Sequence, residues 1–490
     1  MVRRMTEISA RMRLVSFLGG FGKTESPRAM TALAKCAWWW WAFVLGVCGD
    51  DAVEAQAPRL QPVPFSAVDI RSEFWVTRQR VNREKTIPHL YDAGIRSGDG
   101  ALLSACRRLL DDAVTRRMYV TGAMGRQADE RFTEPFALEN ATSIGEGCQS
   151  AAVLQLAQRL LLLDADTRYA DVIERVLYDN LPANVGLDGT TFYYYNRLAA
   201  RPEDATGRPY TGIVTETDKA LMPRNCLQRQ PWFKVPCCPP NVAMATGTIG
   251  QYAYATSAEA VYVNQYLESV ATLSPGTKRL RVTQKSRYPW DGRVTLTVEP
   301  QPPPWHGEIC LRIPDWSGRF ESTGNLYQPR PVPEADAWTV RVNGRAIPPA
   351  ALRRGYLVLR REWAKGDVIE LSLPMPILRI TSHRQVVANR GRVALQRGPV
   401  VYCIEAVDHG GRTRDIVLPP ATRVRAEHRP DLLAGATVLQ GDANRLRRAK
   451  ADAAPVRLFA VPYAVWGNRA VGEMDVWLPE EPEAARKDIR

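Results

Sequence analysis

The sequence predicts an α + β chain of several domains, with a helical part first and one or two β-sandwiches after it. Three observations carry this. Apolar residues recur at helical spacing only before about residue 250. Beyond it, short β-branched and aromatic runs alternate with Gly, Pro, Asn and Asp. The chain has 490 residues, 45% hydrophobic and 24% charged, which is a globular composition able to bury large cores.

The N-terminus reads as an address. Lys35 precedes an apolar run over 36–48 that contains Trp38-Trp39-Trp40-Trp41, and Ala55-Gln56-Ala57 follows. A basic flank, a short apolar core and a small-x-small site describe a secretory signal peptide. The run is short for a membrane span of about 20 residues. Export to the periplasm or the exterior is expected, with the mature chain starting near Pro58 and Met30 as an alternative start.

Helical spacing follows over 101–112, through Leu102, Leu103, Leu109 and Leu110, and again over 146–163 and 168–181. The stretch 125–144 is polar and loop-like, and 202–231 is mostly loop. Phe192-Tyr193-Tyr194-Tyr195-Asn196 reads as a strand or extended edge. In the second half Val294-Thr295-Leu296-Thr297-Val298, Ile309-Cys310-Leu311-Arg312-Ile313 and Tyr356-Leu357-Val358-Leu359 read as strands. Asn343-Gly344 marks a hairpin.

Net charge is +13, from 65 Lys+Arg and 52 Asp+Glu. The basic residues are scattered rather than gathered in a stripe, so a solvated, mildly basic surface is expected and a nucleic-acid partner is not. Of nine cysteines, Cys36 and Cys48 fall in the signal segment. The odd, dispersed set that remains (Cys106, Cys148, Cys226, Cys237, Cys238, Cys310 and Cys403) is no disulfide framework.

The unusual stretch is Pro236-Cys237-Cys238-Pro239-Pro240-Asn241. Its prolines stiffen a turn that carries two adjacent thiols. With Glu146-x-Cys148 it offers four groups of the kind zinc binds, although no CxxC pair is present. Residues two apart point to nearly opposite sides of a regular helix. Glu146 and Cys148 therefore converge only if the helix starts there, with Gly145 and Gly147 loosening the backbone. From spacing alone, buried, disulfide-bonded or redox-active thiols remain alternatives to a metal site. Glu130, in a polar loop, is either a general acid or an exposed carboxylate. Tyr194, in the aromatic run, either contacts a sugar or caps a core. His89, alone among histidines in the helical half, is structural or a second substrate-binding group.

Tyr119-Val120-Thr121-Gly122, Glu130-Arg131-Phe132, Glu146-Gly147-Cys148, the aromatic run and Cys237-Cys238-Pro239-Pro240-Asn241 come in an order and spacing that resembles glycoside hydrolase family 127, the β-L-arabinofuranosidases. Arg312-Ile313-Pro314-Asp315-Trp316, Arg397-Gly398-Pro399-Val400-Val401-Tyr402 and Trp466-Gly467-Asn468-Arg469 extend the similarity over residues 62–480. The resemblance implies an (α/α)6-type helical barrel followed by β-sandwiches. It implies zinc held by Glu146, Cys148, Cys237 and Cys238. It makes Cys237 the nucleophile of a retaining glycosidase, Glu130 the acid/base, Tyr194 a substrate contact, and arabinose-containing glycans the partners.

The expected organisation is then an extension and signal peptide over 1–57, a truncated catalytic domain over 58–254, a β-sandwich over 255–375 and a second β region over 376–490. A twelve-helix barrel needs at least about 200 residues. Residues 92–97 stand where many of the family's helices belong, so about half of the barrel is missing by comparison. An internal deletion of that kind is expected to leave apolar helix stripes exposed. A homo-oligomer is one way to cover them, and an inactive remnant that keeps its metal site is the alternative function. Met244 stands where the family pattern has arginine.

Overall fold

The computed structural model describes residues 100–125, 132, 134–202, 227–232, 236–330, 337–348, 350–447 and 453–489. All of them lie in the unit Gly94–Arg490. The signal segment, His89, the junction at 92–97, Glu130 and Cys226 lie outside the described residues.

Helices come first. α1 is Gly100–Asp112, continued by a π-helical turn at Ala113–Arg117. α2 is Gly147–Asp164 and α3 is Thr167–Arg175. Ala165, in the left-handed region at φ +48, ends α2, and Asp166 caps α3 by accepting from the Arg168 amide. A second π-helical turn, Val176–Asn180, follows α3 before the short helix Leu181–Ala183. α4 is Cys238–Gly247 and opens on Pro239 and Pro240. Prolines suit a first helical turn, where the missing N–H has no partner to lose.

One expectation fails. The aromatic run is no strand; only Phe192 makes isolated bridges, to Val185 and Gln230. Irregular partners claim the other amides. Tyr193 N donates to Asn184 O at 2.9 Å and Asn196 N to Ile144 O at 2.6 Å. Tyr193 and Tyr194 are consecutive and both buried, which a half-buried strand does not allow.

The middle region is a β-sandwich. A six-stranded and a four-stranded sheet face each other across Leu280, Val282, Val294, Leu296 and Val298 on one side and Ile309, Leu311, Leu357 and Trp363 on the other. Alternation sets the faces: Arg279–Ser286 buries Leu280, Val282 and Gln284 and turns the residues between them outward. Asn343 and Gly344, at φ +52 and +75, join Thr339–Val342 to Arg345–Ile347 as the hairpin signal requires.

The C-terminal region is an eleven-stranded sheet that recruits strands from both earlier regions. Ala199–Ala200 pairs with Met474–Asp475, and Tyr327–Arg330 pairs with Ile377–Ser382. One face buries Val393, Leu395, Tyr402 and Ile404. The other contributes Ala394, Val401 and Cys403 to a core shared with the helical and middle regions.

A buried polar knot ties the helices to the middle sandwich. Arg312 is 0% exposed. Its guanidinium donates to Asp171 at 2.6 Å and to both carboxylate oxygens of Glu174, all on α3. Trp316 Nε1 and Tyr288 OH also donate to Glu174. Elsewhere the helices leave apolar side chains in solvent: Leu109 is 69% and Leu162 59% exposed, and Met244 and Ile249 are exposed on and just beyond α4.

Candidate metal centre

The N-termini of α2 and α4 point their first residues at one spot. Glu146 occupies the cap position of α2 with extended backbone (φ −63, ψ 141), and Cys148 lies in the first helical turn. That break in geometry lets residues two apart converge. Cys237 caps α4 and Cys238 begins it. Helix N-termini carry partial positive charge and favour thiolate and carboxylate.

Glycines make the approach possible. Gly145 sits at φ +56, and a Cβ there would lie 2.4 Å from Asn196 O. A Cβ on Gly147 would lie 2.5 Å from Val242 Cγ2 on α4. The Gly145 carbonyl is gripped by two buried amides, Asn180 Nδ2 at 3.0 Å and Asn184 Nδ2 at 3.1 Å. Asn180 belongs to the π-helical turn, so that irregularity serves to aim the Glu146 peptide.

The donor atoms of Glu146, Cys148, Cys237 and Cys238 all lie within 4.8 Å of one another. Glu146 Oε1 is 3.2 Å from Cys237 Sγ and 3.4 Å from Cys238 Sγ. Cys238 Sγ is 3.8 Å from Cys237 Sγ and 3.9 Å from Cys148 Sγ. A disulfide needs about 2.05 Å, so the adjacent cysteines are separate thiols, and the described cysteines are all free. Three thiols and a carboxylate at this spacing are a donor set that can hold a metal ion.

Hydrogen bonding makes the thiols unequal. Hydrogen bonds from the Cys148 thiol, then from that of Cys238, lower the Cys237 thiol below the ordinary range, and burial opposes them. The cost falls on the donors: Cys148 and Cys238 are pushed up, first by that same hydrogen bonding among the thiols.

Around the donors, Tyr194 OH lies 3.8 Å from Cys237 Sγ. Asn241 Nδ2 donates to Cys148 Sγ at 3.2 Å and to Cys237 O at 3.0 Å, bridging the two helix starts. Sequence reasoning gave Asn241 no role. Its position four residues after Cys237, on one helix face, was the available signal. Asn180 and Asn184 were missed as well, and no local pattern marks them. The C-terminal region braces this assembly from behind. Trp466 stacks on Tyr193 with centroids 4.8 Å apart and donates to Asn196 Oδ1 at 2.9 Å.

Comparison with known proteins agrees with the motif order. Residues 76–251 match the domain described as beta-L-arabinofuranosidase, GH127 catalytic domain. Residues 260–375 match the GH127 middle domain and 377–479 the glycoside hydrolase family 127 C-terminal domain. A non-reducing end beta-L-arabinofuranosidase of Bifidobacterium longum subsp. longum is 32% identical over 406 residues, covering 78% of this chain and 56% of that protein. A solved GH127 beta-L-arabinofuranosidase from Geobacillus stearothermophilus T6 is 36% identical with a TM-score of 0.69, covering 79% of this chain and 58% of that one. A second solved GH127 beta-arabinofuranosidase is 32% identical with a TM-score of 0.71, covering 80% and 58%. The chain thus spans little more than half the length of these relatives. Its three successive domain matches and its cysteine–glutamate centre place it in glycoside hydrolase family 127.

Proposed function

We propose that the chain is an exported, retaining glycosidase of β-L-arabinofuranosides that works with a zinc ion and a cysteine nucleophile. The observation that carries this is the convergence of Glu146, Cys148, Cys237 and Cys238 at one point within a family 127 fold. The spacing suits zinc. Tetrahedral zinc, at about 2.3 Å from sulfur and about 2.0 Å from oxygen, sets sulfur–sulfur distances near ~3.8 Å and sulfur–oxygen distances near ~3.5 Å. The observed values are 3.8 and 3.9 Å, and 3.2 and 3.4 Å. When bound there, zinc supplies the positive charge that keeps the thiols deprotonated at neutral pH.

The chain's own groups divide the remaining work. Cys237 Sγ attacks the anomeric carbon while the glycosidic C–O bond breaks. Glu130, which lies outside the described residues, gives its proton to the leaving oxygen. Water then attacks the same carbon, Glu130 recovers a proton, and the C–S bond breaks, so configuration is retained. Tyr194 OH, beside the sulfur, orients the thiolate and offers a donor to the sugar. Asn241 holds Cys148 and the Cys237 carbonyl in register. The substrates are arabinose-containing glycans, and the signal-like segment before Pro58 supports export.

A second reading has its own observation. The chain spans 56% of its curated relative, and apolar side chains on α1 and α2 face solvent. That favours a remnant that binds metal without turnover. Incubation with an aryl β-L-arabinofuranoside separates the two. Activity in the parent that disappears in Cys237→Ala and Glu130→Gln supports the enzyme. One zinc per chain with no turnover in the parent leaves the remnant.

A further inference from the structure

The C-terminal sheet carries a cleft of about 180 Å³ that the glycosidase chemistry does not use. Its walls hold Arg330, Arg384, Arg390, Arg392, His383 and Asn389, against one carboxylate, Glu480. That carboxylate is already engaged, by Arg330 and by Arg379 Nη1 at 2.8 Å. Arg384 and Arg390 are exposed and make no ion pair among the described residues. The cleft therefore holds an excess of guanidinium charge.

The loop that presents these groups is fixed in place. His383 N donates to Leu326 O at 2.8 Å, Val386 N to His383 O at 2.9 Å, Asn389 N to Val386 O at 3.2 Å, and Glu480 N to Gly391 O at 2.9 Å. Val386 and Asn389 are buried, while Arg384 and Arg390 project outward. Arg390 Nε donates to Arg384 O at 3.3 Å, which ties the two ends of the loop together. Gln385 N donates to His383 Nδ1 at 3.3 Å, which orients the ring. The loop backbone is thus ordered before a ligand arrives, and the exposed arginine side chains are what binding must fix.

The wall also bridges two regions. His383 stacks on Phe136 with centroids 4.6 Å apart, and Asn389 Oδ1 accepts from Asn140 Nδ2 at 2.8 Å. Phe136 and Asn140 belong to the segment that follows Glu130 in the chain.

We infer that this cleft is a binding subsite for a carboxylate-bearing sugar, a uronate residue of the glycan on which the chain acts. The guanidinium fork matches a carboxylate with two parallel hydrogen bonds, which a point charge does not. Ser382 lines the cleft beside the arginines, and the Thr381 hydroxyl there, which donates to Gln328 O at 3.1 Å, keeps its lone pairs to accept from a sugar hydroxyl. A nucleic acid fits less well, because its backbone needs a basic stripe to follow and these arginines crowd one cleft. The net charge of +13 draws in any polyanion from a distance, and the cleft selects among them.

The sugar class rests on the glycosidase reading, so the test measures binding apart from turnover. The full chain, with its metal, is titrated calorimetrically with an α-1,4-linked trigalacturonate, its methyl ester, inorganic phosphate and a short single-stranded oligonucleotide. The free acid is expected to bind at least ~10-fold more tightly than the ester. That binding is expected to weaken at least ~10-fold in the Arg384→Glu/Arg390→Glu double variant, with metal content and Tm unchanged. Equal binding of acid and ester, full binding by the double variant, or tighter binding of phosphate or the oligonucleotide overturns the inference. Inactivity on an aryl arabinofuranoside counts against the glycosidase reading alone, and absent trigalacturonate binding counts against the cleft alone.

Discussion

Replacing Gly147 by alanine tests how the metal centre is assembled. The new Cβ would lie 2.5 Å from Val242 Cγ2, 3.5 Å from Cys238 Cβ and 3.7 Å from Asn184 Cγ. Carbon atoms settle at about 3.5–4.0 Å, so only the valine contact is a clash, and relief needs about 1 Å of separation between α2 and α4. Both flanking positions are tightly held, Gly145 by Asn180 and Asn184 and Val242 by burial. Overpacking of this kind costs about 1–3 kcal/mol, and the helix gains back up to about 1 kcal/mol on losing a glycine. Fold stability therefore falls only slightly, by about 0–2 kcal/mol. Metal affinity falls more, because the clash drives apart the two helix starts that carry the donors. Zinc affinity by chelator competition should drop at least ~10-fold while the apo-protein Tm moves by a few degrees. The double variant Gly147→Ala/Val242→Ala removes the clashing methyl and should recover most of the affinity. Unchanged affinity in the single variant, or no recovery in the double, refutes this account of the helix junction.

Other consequences are as direct. Asn241→Ala should weaken zinc binding about 5- to 30-fold in the same competition assay, since it removes a donor to the Cys148 sulfur worth about 1–2 kcal/mol. Arg312→Met should destabilise the chain by about 3–5 kcal/mol in denaturant unfolding, because it strands the buried carboxylates of Asp171 and Glu174. Burial pushes Asp171 up to about 7, with Arg312 and Arg319 only partly offsetting it. Its folded value thus exceeds the unfolded value of about 3.9. The folded state holds the extra proton between these values, so the contribution of Asp171 is full below about pH 4 and is lost as pH rises through about 7. Asp171→Asn should flatten that part of the Tm–pH profile. Chelation should lower Tm by an amount that grows with the logarithm of the displaced metal concentration, and a Tm indifferent to chelator would count against a bound ion.

What could be read from the chain beforehand was local. Helical spacing located α1, α2 and the start of α3 within a residue or two, and Asn343-Gly344 gave its hairpin. The condition that Glu146 and Cys148 converge only at a helix start is met by the extended backbone of Glu146. The aromatic run misled because its composition is strand-like, whereas its amides are taken by Asn184 and Ile144 from elsewhere in the fold. The polar knot was illegible for the same reason. Arg312 meets Asp171 and Glu174 across 141 and 138 residues of chain, and no periodicity links positions so far apart.

The centre depends on few of the helices a full barrel would contain. Its donors come from the starts of α2 and α4, which touch through Gly147 and Val242. The peptide before Glu146 is held by Asn180 and Asn184, just beyond α3. The α3 segment is itself anchored outside the helical region, by Arg312 of the middle sandwich and by the Val401 amide of the C-terminal sheet, which donates to Asp179 at 2.8 Å. Every link in that chain of contacts lies within the described residues. The proposed metal site is therefore braced by contacts among the described residues, whereas the proposed catalysis also needs a wall to hold the sugar against Cys237. Full zinc occupancy would show that the β-domains brace α2 and α4, and only turnover would report on the opposite wall.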